Sequence, residues 1–397
     1  MQDFAAWRPR VAVLFACALL LACDDPFVAD SARAYQSLAT GGDHSCAVSE
    51  DGAAYCWGRG LDGELGIGVK ENRATPTRVV GDIEFEQITA GDNHTCALTP
   101  DGRAYCWGWN AFFQRGNPTD TRDAEPVTVT TAARFRRISA GAHHTCGVGV
   151  DSLVYCWGEN RHSQLGDSTV FVAIQPRLAK HPVQFVDITS GARHTCALSP
   201  TGVAYCWGSN EYGQLGIGSA QLTALIPTRV ATSEQFVQLD AGLTHTCGVA
   251  KSGRLYCWGS SEFGELGTGG VFKPGLAGAL EPAPTSQLFP NGLMISAGVS
   301  HTCAVGPDGI GHCWGRGLYG QLANGSYFDH YQPQPIRMQP DHLQVGERFL
   351  ISSFATGGRT HACALVDRSA YCWGTGRLGQ LGVANTTFSA LPIRVAD

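Results

Sequence analysis

The sequence predicts an all-β fold, a seven-bladed β-propeller of four-stranded blades, and three observations carry that prediction. Fourteen of the 16 cysteines fall into seven pairs, and the first members of the pairs recur at intervals of 50, 50, 50, 51, 56 and 60 residues. Each interval holds four short strand-like segments separated by turn residues, which is one propeller blade. Neither face of these strands is polar, so both must be covered, as stacking around a ring would cover them. The 363 residues from Tyr35 to Asp397 give about 52 per unit, a period within the propeller range.

In the second unit the four segments are Phe85 to Ala90, His94 to Thr99, Ala104 to Trp107 and the Pro76 to Val80 type of segment. No 3.6-residue periodicity appears in the repeat, which argues against a β-α solenoid. If Cys96 faces Cys106, the hairpin tip is Pro100-Asp101-Gly102, suited to a type I turn closed by a left-handed Gly. Glycine recurs there as Gly52, Gly202, Gly253 and Gly309. In the last unit the spacing shortens by one, and Cys363 facing Cys372 leaves the two-residue tip Asp367-Arg368. Register survives the length change, so the pairs are expected to touch. Alternation then puts His94, Cys96 and Leu98 on one face of their strand, while Tyr105 and Trp107 lie opposite Cys106 on theirs.

The expected disulfides are Cys46–Cys56, Cys96–Cys106, Cys146–Cys156, Cys196–Cys206, Cys247–Cys257, Cys303–Cys313 and Cys363–Cys372. Each closes a ring of about ten residues, worth about 2.7 kcal/mol as a chain-entropy upper guide. Zinc would need four ligands with closer knuckle spacing, so no metal is expected. His44, His94, His144, His194, His245, His301 and His361 occupy one repeat position. A residue needed in every blade is structural, hydrogen-bonding its own loop or the next blade. Trp57, Trp107, Trp157, Trp207, Trp258, Trp314 and Trp373 are likewise core or blade-interface residues.

Ahead of the repeats, Arg8 and Arg10 precede an apolar run from Val11 to Ala22, the pattern of a signal peptide rather than a membrane span. Leu20-Leu21-Ala22-Cys23 resembles a bacterial lipobox, in which the leader is cut before the cysteine and its thiol is lipidated. The expected organisation is therefore a leader over 1–22, a linker over 23–34 and the propeller over 35–397. The net charge of −6 becomes −7 without the leader's two Arg and one Asp. That offers no footprint for nucleic acid and favours basic over acidic partners.

Function should break the symmetry. The second unit replaces the Gly-Gln-Leu-Gly pattern with Trp109-Asn110-Ala111-Phe112-Phe113-Gln114-Arg115-Gly116. The fifth has an insertion from Val271 to Pro290, and the sixth carries Tyr327-Phe328-Asp329-His330-Tyr331 and a longer connection through His342 to Arg348. Clustered aromatics and Arg suit protein recognition, which makes Trp109, Phe112, Phe113, Arg115, Tyr327, Phe328, His330 and Tyr331 the candidate contact residues. Insertions that merely pack on their own blade are the alternative. The sequence has no phosphate-binding loop, His-Glu-x-x-His, Gly-x-Ser-x-Gly or EF-hand pattern.

The segments Gly191 to Leu198 and Tyr205 to Gly216 resemble the repeats of the regulator of chromosome condensation family, and the likeness runs from about Tyr35 to Asp397. The resemblance implies a seven-bladed propeller. That family includes exchange factors for the GTPase Ran and a secreted bacterial propeller that inhibits β-lactamases. An exported, disulfide-bonded chain does not meet a cytoplasmic GTPase, and the inhibitor's contacts lie in variable loops, so neither activity carries over. The expectation is a monomeric, lipid-anchored propeller of the bacterial cell envelope, without cofactor, binding a protein or surface polymer. Two alternatives stand: a lyase or hydrolase using off-symmetry residues such as His162, His312 or His330, and a purely structural envelope protein.

Overall fold

The computed structural model describes residues 33–119, 122–270, 281–282, 292–338 and 350–397. The leader, Cys23 and the linker up to residue 32 lie outside the described residues, as do most of the fifth-unit insertion and the connection from His342 to Arg348. The first blade is β1 (Tyr35–Thr40), β2 (His44–Ser49), β3 (Ala54–Gly58) and β4 (Arg73–Arg78). The second is β5 (Gln87–Ala90), β6 (His94–Leu98), β7 (Ala104–Gly108) and β8 (Asp123–Thr128). Five more follow, each an antiparallel meander of four consecutive strands hydrogen-bonded in chain order. The chain is a seven-bladed β-propeller, and no helix occurs among the described residues.

The hairpin arithmetic reproduces the observed register. Cys96 lies opposite Cys106 and Leu98 opposite Ala104, which leaves Pro100-Asp101-Gly102 at the tip with Gly102 at φ 78°. In the last blade Val366 pairs with Ser369, and the two-residue tip puts both Asp367 (φ 47°) and Arg368 (φ 64°) in the left-handed region, as a type I′ turn requires. The Gly after each Trp serves a different need. At Gly108 (φ 95°) the register to β8 shifts, and a Cβ there would strike the Asn93 carbonyl. All seven cysteine pairs are disulfide-bonded, with Cα atoms 4.0–4.1 Å apart.

The two apolar faces of each blade meet the neighbours on either side. Cys46, Val48 and Cys56 of the first blade pack against Phe85, Ile88 and Trp107 of the second. All seven repeat tryptophans are completely buried. Burial of one large apolar side chain stabilises by about 1.5–3 kcal/mol, so these interfaces are the core of the protein.

A polar clamp runs through the same interfaces. The Thr95 hydroxyl donates to the Glu64 carbonyl (2.8 Å), which also accepts from Trp107 Nε1 (2.9 Å). Because the Thr95 proton is spent there, its oxygen accepts from His44 Nε2–H at 2.8 Å, which fixes the histidine tautomer. The arrangement recurs through His94–Thr145, His144–Thr195, His194–Thr246 and His245–Thr302, and Ser45 takes the Thr role for His361. Burial holds His44, His144, His194, His245 and His361 down to about 3 and His301 to about 4, so all stay neutral. The clamp has a gap: blade seven carries the buried Ala362 opposite Trp373, and His301 Nε2 has no partner among the described residues.

The first and seventh blades join without sharing a strand, since the seventh sheet comes wholly from Ile351–Arg394. The clamp itself closes the ring: Ser45 and Trp57 Nε1 both donate to the Gln380 carbonyl at 3.0 Å. The Tyr35 amide donates to the Arg368 carbonyl at 2.8 Å, and the Arg33 amide to Asp397 Oδ1 at 3.0 Å.

Candidate functional site

In an up-and-down meander, the loops joining first to second and third to fourth strands emerge at one end of the ring, and the hairpin tips emerge at the other. The axis offers two spaces. A cavity of about 560 Å³ is lined by the innermost strands, among them Gln87, Ser139, Asp187, Gln238 and Asp240. Much of this polar lining is already engaged. Gln87 bonds both the N–H and the carbonyl of Ile138 across the blade boundary, Gln238 does the same to Ile295, and Asp240 accepts from the Ala297 amide at 2.8 Å. These side chains cap the free edge of the next innermost strand. At the loop end the axis narrows to about 60 Å³ between the backbones of Gly91, Gly141, Gly191, Gly242 and Gly298.

The outer loops are built for display. In each third-to-fourth loop a buried Gln or Glu folds back onto a backbone amide two residues earlier: Gln114 accepts from Phe112 (3.0 Å), Gln164 from His162, Gln214 from Tyr212 and Gln321 from Tyr319 (each 2.9 Å). Glu64 holds Asp62, Glu265 holds Phe263 and Gln380 holds Leu378 the same way. Seven equivalent, rigidly held positions thus carry Asp, Phe, His, Tyr, Phe, Tyr and Leu. Five consecutive blades, two to six, present a ring there.

Around blade six this display becomes a surface. Leu318 (51% exposed), Tyr327 (47%) and Phe328 (72%) stand out from its loop, and Tyr331 (38%) from the start of the strand that follows. The Arg316 guanidinium carbon lies 4.8 Å from the Phe263 ring centre and 5.8 Å from that of Tyr319, with Nε buried and without an acceptor. Tyr331 packs on Gly264 of blade five, where a Cβ would collide with it. His330 Nε2 lies 3.0 Å from the Ser326 oxygen and is half-buried.

Blade two, the other candidate, differs. Trp109, Phe112 and His143 form a triangle of rings 5.3–5.5 Å apart, with Arg161 5.7 Å from Phe112, and all three rings are half-buried. Phe113 occupies with φ 60° a position that is glycine in five other repeats, so this loop stores strain. Arg115, expected as a contact residue, is instead fully buried: it fills the slot that Leu65, Leu165, Leu215, Leu266, Leu322 and Leu381 fill elsewhere. Its Nη1 pairs with Asp123 at 2.5 Å and its Nη2 donates to the Thr119 hydroxyl at 2.9 Å. Burial lowers its pKa. Blades two and six are separated by two blades on one side and three on the other, so the two aromatic groups form separate surfaces on one face.

The candidate catalytic histidines share no cleft. His162 is on blade three. His312 lies opposite Pro335 toward the hairpin end of blade six, and His330 lies opposite Gly315 toward the loop end. Among the described residues no group of three or more His, Cys, Asp or Glu could hold a metal, and no helix is long and apolar enough to cross a membrane. Sequence reasoning missed Arg316, Leu318, Tyr319 and Phe263. Aligning the seven repeats on the Gln/Glu position would have exposed the display column.

A ring of seven four-stranded blades, clamped Trp-to-carbonyl and presenting variable loops on one face, defines a β-propeller built from repeats. The RCC1-like domain matches residues 22–351, and the chain belongs to that family. The ultraviolet-B receptor UVR8 of Arabidopsis thaliana is 33% identical over 177 residues, 43% of this chain and 37% of UVR8. The probable E3 ubiquitin-protein ligase HERC4 of Homo sapiens is 28% identical over 41% of this chain and 14% of its own length. The chain thus spans about a third or less of these relatives. Human WBSCR16 superposes with a TM-score of 0.74 at 19% identity, covering 84% of this chain and 87% of that one. Prp20p of Saccharomyces cerevisiae, described with its binding properties to Gsp1p and histones, gives 0.70 at 24% over 81% and 80%. Both superpositions speak to the fold.

Proposed function

We propose that this chain is a binding propeller that holds a protein partner on the loop face of blades five and six. One observation carries the reading: four apolar or aromatic side chains of blade six, between 38% and 72% exposed, follow closely in the chain on an arginine that lies over two rings. Aromatic and Arg anchors dominate binding energetics, and clustered exposed apolar groups mark interaction sites. Two further features favour export and attachment through a lipid on Cys23. The leader pattern and lipobox precede the repeats, and seven disulfides need an oxidising compartment to persist. The test is capture from bacterial envelope extract by the full chain beside two variants. Leu318→Ala/Tyr327→Ala/Phe328→Ala should lose the captured protein, and Trp109→Ala/Phe112→Ala should keep it. Capture lost only by the second variant would move the site to blade two, and capture kept by both would remove it from this face.

A further inference from the structure

We infer that the blade-six surface recognises a carboxylate: an Asp or Glu side chain of the partner, flanked by an apolar residue, docked on Arg316. The inference deepens the proposed binding site and rests on it. The first observation is a contrast among the arginines of the loop face. Arg59 pairs with Asp62 and Glu64, Arg122 with Asp62 at 2.7 Å, Arg359 with Asp92 at 2.9 Å, and Arg115 with Asp123. Arg316 pairs with no carboxylate among the described residues, as Arg193 and Arg377 also do not, and it differs from those two in lying over two rings. Those rings, of Phe263 and Tyr319, spare part of the entropy that a free arginine gives up on binding.

The second observation is the Nε, buried and without an acceptor among the described residues, which leaves the Nη groups to meet an incoming carboxylate. A guanidinium offers parallel N–H groups that match the two oxygens of a carboxylate, and the half-buried site lowers the screening that weakens exposed pairs. Leu318 and Phe328 stand on the same loop, within reach of an apolar neighbour of that carboxylate. The chain's net charge of −6 disfavours acidic partners at long range, so recognition is confined to short range around this one side chain.

The experiment selects from a random twelve-residue peptide display library on the full, oxidised chain at physiological salt. Enriched peptides should place Asp or Glu next to Leu, Phe or Trp. Changing that acid to its amide should weaken binding about tenfold or more, as should Arg316→Lys, which keeps the charge and loses the fork. Arg377→Ala should leave binding unchanged; Arg377 stacks on the single ring of Phe388, on blade seven. Enriched peptides that lack an acid, or that bind Arg316→Lys as tightly as the parent, would overturn the carboxylate assignment. If those same peptides are lost on Phe328→Ala, the binding surface itself still stands. Failure to enrich any peptide would remove both.

Discussion

The gap in the polar clamp at blade seven makes the substitution Ala362→Thr the sharpest test of how the ring is held. At the five interfaces clamped by a threonine, one hydroxyl accepts from a histidine and donates to the Gln or Glu carbonyl of the preceding blade, as at Thr145 with His94 (2.9 Å) and the Gln114 carbonyl (2.8 Å). At the boundary of blades six and seven the Gln321 carbonyl accepts from Trp373 Nε1 at 2.9 Å, while His301 Nε2 has no acceptor. A threonine in place of Ala362 adds both missing bonds. A net intramolecular hydrogen bond is worth about 1 kcal/mol, so the variant should gain about 2 kcal/mol. With an unfolding entropy of about 2.1 cal/mol/K per residue, the 365 residues from Arg33 to Asp397 convert that to a rise in Tm of about 2–3 °C. Calorimetry and urea unfolding of the oxidised chain measure it. The mirror variant Thr95→Ala should lose at least as much, because it orphans His44. An Ala362→Thr protein no more stable than the parent, beside a destabilised Thr95→Ala, would mean that the blade-seven site cannot accept the clamp, and the equivalence of the repeats would fail there.

Acid should unfold the ring steeply. Six of the seven repeat histidines sit at about 3 to 4, and the seventh, His94, is also held well below its ordinary value, all chiefly by burial. An unfolded histidine titrates near 6.5, so below that pH the unfolded chain binds protons that the folded chain refuses. Stability therefore falls as pH drops from 6.5 toward 4. Between pH 6 and 5 each histidine removes about 1 kcal/mol, and urea midpoints across that range should show a loss far larger than one group can give; a flat profile would contradict the buried neutral ring. Glu265 works in the opposite direction, since burial pushes its carboxyl up to about 7. Replacing it by Gln, which five repeats already use, should stabilise by about 3 kcal/mol at pH 8 and by little below pH 4.5, and equal effects at both pH values would contradict a buried, proton-holding acid.

The seven blades, the hairpin tips and the cysteine register were legible because each rests on a rule read seven times over. A turn such as Pro100-Asp101-Gly102 and the shortened Asp367-Arg368 both preserve facing cysteines, and local geometry alone decides that. The histidines were legible as structural, while their acceptor on the next blade was not, since no local pattern shows which strand comes alongside. Arg115 misled for a related reason. In a loop of aromatics it reads as exposed, but its place in the repeat is the leucine column, and the barrier to burying it falls once Asp123 comes within 2.5 Å. Arg316 carried no sequence signal at all. Its significance comes from two rings on different blades and from the lack of a paired carboxylate among the described residues, and both are properties of assembled loops.

The central claim is that the loop face of blade six is the working surface. A photo-crosslinking residue placed at Phe328 in the full chain, with a second protein carrying it at Val150 on the exposed hairpin tip of blade three, tests it most directly. In envelope extract a discrete protein adduct is expected from position 328 and none from position 150. An adduct from 150 without one from 328 would place the partner on the opposite end of the ring and contradict that claim.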